Sequence, residues 1–156
     1  MPLKNLKRYV EEGTSAYREG NFKKSVELYE KAIHFAEENT DRSDLKVIEL
    51  YSTALYNMAV SLIKLKEYSK SREVIKKYLP RLDIDVISKK ALGNILYNMA
   101  FSCYKENKVV EGYVYLKKYN VILGEDRDSR NLFVNGFKDS MGTIITDRLK
   151  ELLNKK

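Results

Sequence analysis

Residues able to recognise another chain through hydrogen bonds and ring contacts recur in this sequence at a fixed spacing. Asn57 and Asn98 are 41 residues apart, and a tyrosine precedes each of them. An asparagine amide both donates and accepts hydrogen bonds, so it can pair with the N–H and C=O of an extended peptide whatever its sequence. Tyrosine rings add contact area at a low cost in conformational entropy. The recurrence therefore predicts a surface suited to an extended peptide.

Basic residues follow the same spacing. Lys64 and Lys105 are also 41 residues apart, and Arg18 stands at the matching place of an earlier, more diverged copy. Lysine and arginine attract carboxylates, so this row predicts an acidic partner segment. In the plainer alternatives, the amides satisfy neighbouring groups, the rings pack between helices and the charges form a solvated surface. The candidate peptide-binding residues are Asn57, Asn98, Arg18, Lys64, Lys105, Tyr56, Tyr97, Tyr17, Tyr104 and Phe101.

The sequence contains no pattern typical of catalysis or metal binding. His34 is the only histidine, so a His-based triad or a His-rich metal site cannot be built. Cys103 matches Leu62 of the preceding copy, on an apolar stripe, and this predicts a small buried side chain rather than a nucleophile. Gly-rich phosphate loops and paired metal-ligand spacings are missing. We expect a protein that is not an enzyme, without cofactor or metal.

Composition narrows the class of protein. The 156 residues are 44% hydrophobic and 33% charged, with only seven glycines and two prolines, which favours helices over a loop-rich β fold. No apolar run reaches the roughly 18–20 residues of a membrane span, and the N-terminal residues are too charged for a secretion signal. The formal net charge of +7 favours acidic partners, but acidic residues interleave with the basic ones, which disfavours nucleic acid. We expect a cytoplasmic protein.

Repeated helix pairs are the elements that would position these residues. Residues 56–79 and 97–120 share nine identities in 24 aligned positions, and residues 10–33 form a third, more diverged copy. Apolar residues in these units step by three or four, which predicts helices. The predicted breaks between the two helices of each unit lie at Gly20-Asn21, Lys66-Glu67 and Glu106-Asn107. The chain is therefore predicted to be helix–turn–helix, repeated three times.

The units resemble tetratricopeptide repeats. The first unit carries the small and aromatic residues of that pattern at Gly13, Gly20, Phe22, Ser25, Tyr29 and Ala32. The resemblance implies an all-α, right-handed superhelical solenoid whose first helices line a concave side. It also implies a peptide-binding role, with an asparagine at the place of Asn57 holding a peptide backbone.

The units depart from the family in length and in one of its ligand motifs. Successive units are offset by 46 and 41 residues, against a typical period of about 34. In this they resemble the peptide-sensing domains of Gram-positive quorum-sensing regulators. The places of the family's carboxylate clamp hold Val10, Thr14, Asn94 and Asn98. The resemblance therefore does not imply the binding of chaperone tails.

We expect one domain over residues 1–156, with repeats at about 6–40, 43–80 and 85–123. The remaining segment, 126–156, does not repeat, but its apolar residues step by three or four and predict one or two amphipathic helices. A solenoid must cover its last open apolar face, so we expect this segment to form the C-terminal cap. The apolar residues of the predicted cap are Phe133, Phe137, Met141, Ile145, Leu149 and Leu152.

Two other functions are compatible with the sequence. In one, the protein is a structural adaptor or oligomerisation module, and its C-terminal helix mediates assembly into a homodimer. In the other, which is less favoured, a nucleic-acid-binding helical repeat uses the basic charge.

Overall fold

The structure, a computed structural model, describes residues 2–83 and 85–123, with side chains described as far as residue 118. These residues form α-helices and one short 3₁₀ turn, without strands, which confirms the predicted all-α class. The helices are α1 (Pro2–Arg18), α2 (Phe22–Asn39), α3 (Leu45–Lys64), α4 (Tyr68–Tyr78), α5 (Lys89–Lys105) and α6 (Val109–Leu123). The predicted cap, residues 126–156, lies outside the described residues.

All three predicted breaks are present, and each contains a residue with positive φ. The φ angles are 77° at Gly20, 60° at Lys66 and 61° at Asn107. Such left-handed residues end a helix because they turn the chain away from its axis. Glycine adopts this conformation without steric cost, whereas lysine and asparagine adopt it less readily. The fourth helix ends at Tyr78, and a 3₁₀ turn over Leu79–Arg81, which contains Pro80, follows it.

Side-chain caps fix where three of the helices begin. The Asn21 Oδ1 atom accepts a hydrogen bond from the backbone N–H of Lys24 at the start of α2, at 3.2 Å. Asp44 caps α3 and Ser88 caps α5 in the same way. These side chains satisfy backbone N–H groups that have no partner inside the helix. The caps at Asp44 and Ser88 thereby set the start of the two helices that carry most of the candidate residues.

The helices pack in consecutive pairs, α1 with α2, α3 with α4 and α5 with α6. In addition, α1 contacts α3, and α3 contacts α5, so the first helices of the pairs form a row. One continuous apolar core runs through these contacts. Its largest fully buried side chains are Tyr29, Tyr51, Tyr78, Tyr104, Leu6, Ile33, Leu55, Met58, Leu62 and Ile75. The described helices therefore share one core.

Small residues allow close approach of the two helices within a pair. A Cβ atom on Gly13 of α1 would lie 2.8 Å from the ring of Tyr29 on α2. In the third pair the roles are exchanged, because a Cβ on Gly112 of α6 would lie 2.9 Å from the ring of Tyr104 on α5. Both glycines therefore leave the space that a tyrosine ring fills.

Candidate functional site

Ten of the partly or fully exposed residues on α1, α3 and α5 lie on one side of each helix. On α3 they are spaced by three, one, three and four residues, which is the spacing of a single helical face. We call the resulting surface the first-helix face. Its residues are Tyr17 and Arg18 on α1, Thr53, Tyr56, Asn57, Val60 and Lys64 on α3, and Asn94, Tyr97 and Phe101 on α5.

Tyr17 on α1 and Tyr56 on α3 are the tyrosines of the α1 and α3 parts of this face. The Tyr17 ring meets the ring of Phe22 edge-on, with centroids 5.3 Å apart. Burial and the nearby hydroxyl of Tyr17 raise the pKa of Tyr56. Tyr17 and Tyr56 of the predicted set are therefore half-buried side chains on two helices that contact each other.

A groove of about 560 Å³ lies between the N-terminal halves of α3 and α5. Its floor includes the buried Ile48, and two large apolar side chains at its edge are unusually open, with Leu45 68% and Val86 40% exposed. Polar groups border the same space, and the Ser52 hydroxyl among them donates to the carbonyl oxygen of Glu49. The lining residues are Leu45, Ile48, Glu49, Ser52, Thr53, Tyr56, Val86, Ser88, Lys90, Ala91 and Asn94.

The two asparagines singled out by the repeat occupy different environments. Asn57 is half-buried, and its side chain borders the first-helix face. Asn98 is only 7% exposed, and among the described residues its buried Nδ2 atom has no hydrogen-bond partner. A buried N–H donor without a partner costs free energy.

The basic residues lie at the C-terminal ends of the first helices. Arg18 and Lys64 are exposed. Lys105 is half-buried, and its Nζ atom lies 5.5 Å from the centroid of the Phe101 ring. A lysine over an aromatic face keeps its charge close to an apolar surface. These residues therefore combine positive charge with ring surface at one end of the face.

Tyr104, like Asn98, is a predicted site residue that the structure buries. Its side chain has no exposed area, and its ring packs beside Gly112 of α6. Burial also raises the pKa of its hydroxyl. Tyr104 therefore belongs to the core between α5 and α6, because Gly112 allows α6 to approach closely enough to cover it.

Polar clusters that have no counterpart in the repeat lie away from this face. The buried Arg72 on α4 donates to the carbonyl oxygen of Ser102 at 2.8 Å and forms an ion pair with Glu106. Glu37 accepts hydrogen bonds from Tyr51 at 2.7 Å and from Arg81 at 2.6 Å. Neither cluster recurs as a whole in another unit, so the repeat gave no signal for them.

Cys103 and His34 are the cysteine and the histidine of the described residues. Cys103 is buried as predicted, and this burial raises the pKa of its thiol. The Nε2 atom of His34 lies 2.9 Å from the hydroxyl oxygen of Tyr78, within hydrogen-bond distance. Within residues 2–83 and 85–123, no three or more His, Cys, Asp or Glu residues are grouped so that they could hold a metal ion.

No protein-family model matches this sequence, and a search of curated proteins finds none that is significantly similar. Within the described ranges, none of the helices is both long enough and apolar enough to cross a membrane.

Proposed function

We propose that this protein is a non-catalytic binding module that holds an extended, acidic peptide or protein segment on the first-helix face. The observation that carries the proposal is the groove between α3 and α5, which has apolar and polar walls and opens beside Tyr56 and Asn94. Ligand pockets generally combine an apolar lining with a few polar groups that orient the ligand. The groove has this composition.

The proposal includes a finer description of the fold. The three helix pairs would form a right-handed superhelical solenoid of tetratricopeptide type, with the first helices on its concave side. The contacts of α1 with α3 and of α3 with α5 support it, because they align the first helices of successive pairs. A cytoplasmic location belongs to the same proposal and rests on the sequence expectations alone.

Hydrogen bonding to the ligand backbone is assigned to Asn57 and Asn98 in this proposal. Asn57 lies on the face, whereas Asn98 is buried, so its Nδ2 atom, which has no partner among the described residues, must move to the surface to reach a ligand. Aromatic contact is assigned to Tyr17, Tyr56, Tyr97 and Phe101, which are all half-buried.

The test begins with peptides selected on the wild-type protein from a random displayed library, whose affinities are then measured by fluorescence polarisation. The Asn57→Ala, Asn98→Ala double variant should bind the selected peptides about tenfold or more weakly, because each lost hydrogen bond is worth about 1 kcal/mol. Its thermal stability should change little, since the Nδ2 atom of Asn98 has no partner among the described residues to lose.

The matched control is Asn39→Ala at the end of α2, where the asparagine is exposed and its Nδ2 donates to the Phe35 carbonyl. This variant should bind the selected peptides like the wild type. A failure to select any peptide would contradict the proposed function. Unchanged affinity in the double variant would contradict the assigned role of the two asparagines.

An acidic partner predicts a dependence on salt. Affinity for the selected peptides should fall as the ionic strength rises, because exposed charges are screened over about 8 Å at physiological ionic strength. Selected peptides should also be richer in Asp and Glu than the library. Binding that is equal at low and high salt, by peptides without acidic enrichment, would show that Arg18, Lys64 and Lys105 do not attract the partner.

A further inference from the structure

The groove lies between the N-terminal halves of α3 and α5, and Lys64 and Lys105 are the last residues of these two helices. Thr53 lines the groove on α3, and Asn94 lines it on α5. Lys64 follows Thr53 by 11 residues, and Lys105 follows Asn94 by 11 residues as well. At the helical rise of about 1.5 Å per residue, both lysines are about 16 Å along the helix from the groove. The two helices therefore present the same pair of features at the same separation.

The groove end suits a large apolar side chain. Leu45 and Val86 expose apolar surface there, and Ile48 and Ala91 supply further apolar contacts. Exposed apolar side chains that cluster around a depression are typical of contact sites for another molecule. The charges that line the groove are one of each sign, Glu49 and Lys90, so the groove itself selects little for ligand charge.

The lysine end suits a carboxylate. Lys64 and Lys105 bring two positive charges to the ends of α3 and α5, and Lys105 lies over the Phe101 ring. Helix C-termini carry partial negative charge, and the two lysines offset it, so an anion can approach there. Half-buried side chains between the two ends, Tyr97 among them, provide contact surface for the chain that would connect the two groups.

An extended chain advances about 3.3 Å per residue, so about five residues cover the distance of about 16 Å between the two ends. We infer that the partner is an extended peptide with a large apolar side chain in the α3–α5 groove and an acidic side chain about five residues away, paired with Lys64 and Lys105. This inference rests on the proposed function and adds the spacing and chemistry of the two contacts.

The experiment uses two variants and two matched controls. Thr53→Phe fills the groove from α3, and Ser69→Phe adds the same ring at an exposed place on α4. The double variant Lys64→Glu, Lys105→Glu reverses the charges at the other end, and Lys23→Glu, Lys70→Glu makes the same change on α2 and α4. Circular dichroism checks that each variant folds, and Asn94→Phe, from the opposite wall, replaces Thr53→Phe if that variant does not.

Peptides selected on the wild-type protein should share a Leu, Ile, Met or Phe and an Asp or Glu about five residues apart. Groove filling and charge reversal should each weaken their binding about tenfold or more, since burial of one large apolar side chain alone has an effect of that size. The two controls should bind like the wild type. In synthetic peptides, moving the acidic residue by three positions should remove its contribution.

The outcomes separate this inference from the function on which it rests. If no peptide is selected, the proposed function and the inference both fail. If peptides are selected and depend on Asn57 and Asn98, but lack the spaced pair or bind the groove-filled and charge-reversed variants normally, the inference alone is overturned.

Discussion

At the two junctions between successive helix pairs, the second helix of one pair packs against the first helix of the next through different kinds of residue. At the first junction, between α2 and α3, the hydroxyls of Ser25 and Ser61 lie 3.0 Å apart. At the second, between α4 and α5, Arg72 donates to the carbonyl of Ser102, which is the repeat equivalent of Ser61. The positions equivalent to Arg72 and Glu106 in the first junction are Val26 and Leu65. The two positions that hold an ion pair at the second junction therefore hold apolar residues at the first.

The difference shows which properties of a junction the fold requires. Both sets of residues allow a second helix to pack against the next first helix, so charge is not needed at this place. Arg72 performs an additional role, because it satisfies a backbone carbonyl in the last turn of α5. Taking an arginine out of water is costly, and that cost offsets much of the attraction in its ion pair. Each junction can therefore be built from apolar or from charged residues, but a buried charged residue there needs its partner.

The largest predicted effect comes from breaking the pair at the second junction. Arg72→Leu leaves the Ser102 carbonyl and the Glu106 carboxylate without their shared donor. The Arg72 side chain is 6% exposed and that of Glu106 is 35% exposed, so water can solvate the carboxylate in part. We expect the free energy of unfolding to fall by about 2–3 kcal/mol, below the usual range for a fully buried pair. Urea unfolding at pH 7 measures it.

A double variant sharpens the comparison. Arg72→Val with Glu106→Leu copies the residues of the first junction into the second. It should recover more than half of the stability lost in Arg72→Leu, because an apolar pair removes the unpaired carboxylate. If the double variant is instead less stable than Arg72→Leu, the two junctions are not interchangeable and Arg72 has a role that an apolar pair cannot replace.

A smaller effect is expected at the close contacts within the first and third pairs. In Gly112→Ala the added methyl meets the Tyr104 ring at 2.9 Å, and in Gly13→Ala it meets the Tyr29 ring at 2.8 Å. Overpacking of this kind costs about 1–3 kcal/mol, and the better helix propensity of alanine offsets about 0.5–1 kcal/mol of it, so we expect a net loss of about 1–2 kcal/mol for each variant by urea unfolding.

The two glycine variants also test whether the outer pairs are equally rigid. Tyr29 is held by its hydroxyl, which lies 2.9 Å from that of Thr14. Gly13→Ala displaces the ring itself and should lose more stability than Thr14→Val, which removes the hydroxyl contact with Tyr29 and a hydrogen bond to the Val10 carbonyl. In a Tyr29→Leu background, Gly13→Ala should cause no further loss of unfolding free energy, because the ring that the methyl group meets is gone. Wild-type stability in both glycine variants would show that the helices of each pair can separate at little cost.

Periodic features of this chain were predictable from the sequence, and single features were not. Gly20, Lys66 and Asn107 end their helices where the repeat pattern predicted breaks, because local turn chemistry decides such places. The burial of Cys103 followed from its alignment with Leu62.

Tyr104 and Arg72 show what the repeat cannot predict. The sequence made Tyr104 a candidate peptide-binding residue, but Gly112 on the next helix lets that helix cover it. Arg72 occurs in one unit, and its partners follow 30 and 34 residues later, too far for any local pattern to reveal. Both depend on a neighbouring helix rather than on their own spacing.

The smallest predicted effect distinguishes the junctions by their response to pH. Burial alone would raise the pKa of Glu37, but hydrogen bonds from Tyr51 and Arg81, with the charge of Arg81, outweigh it and lower the pKa. The ionised carboxylate therefore stabilises the fold above the unfolded pKa of about 4.3, and this stabilisation is lost as the pH falls through the lower pKa of the folded state.

Glu37→Gln should therefore destabilise the protein at pH 7, by less than Arg72→Leu does, because the Arg81 partner is exposed. The difference in unfolding free energy between wild type and Glu37→Gln should be constant above about pH 5 and should shrink below about pH 4. The control is Asp83→Asn, at the equivalent place of the second unit, where the carboxylate is exposed and accepts a hydrogen bond from the backbone of Asp85. The amide oxygen of the new asparagine can still accept the hydrogen bond from the Asp85 backbone. We therefore expect a smaller loss of unfolding free energy for Asp83→Asn than for Glu37→Gln. A difference for Glu37→Gln that stays the same from pH 7 to pH 3 would show that its charge does not stabilise the first junction.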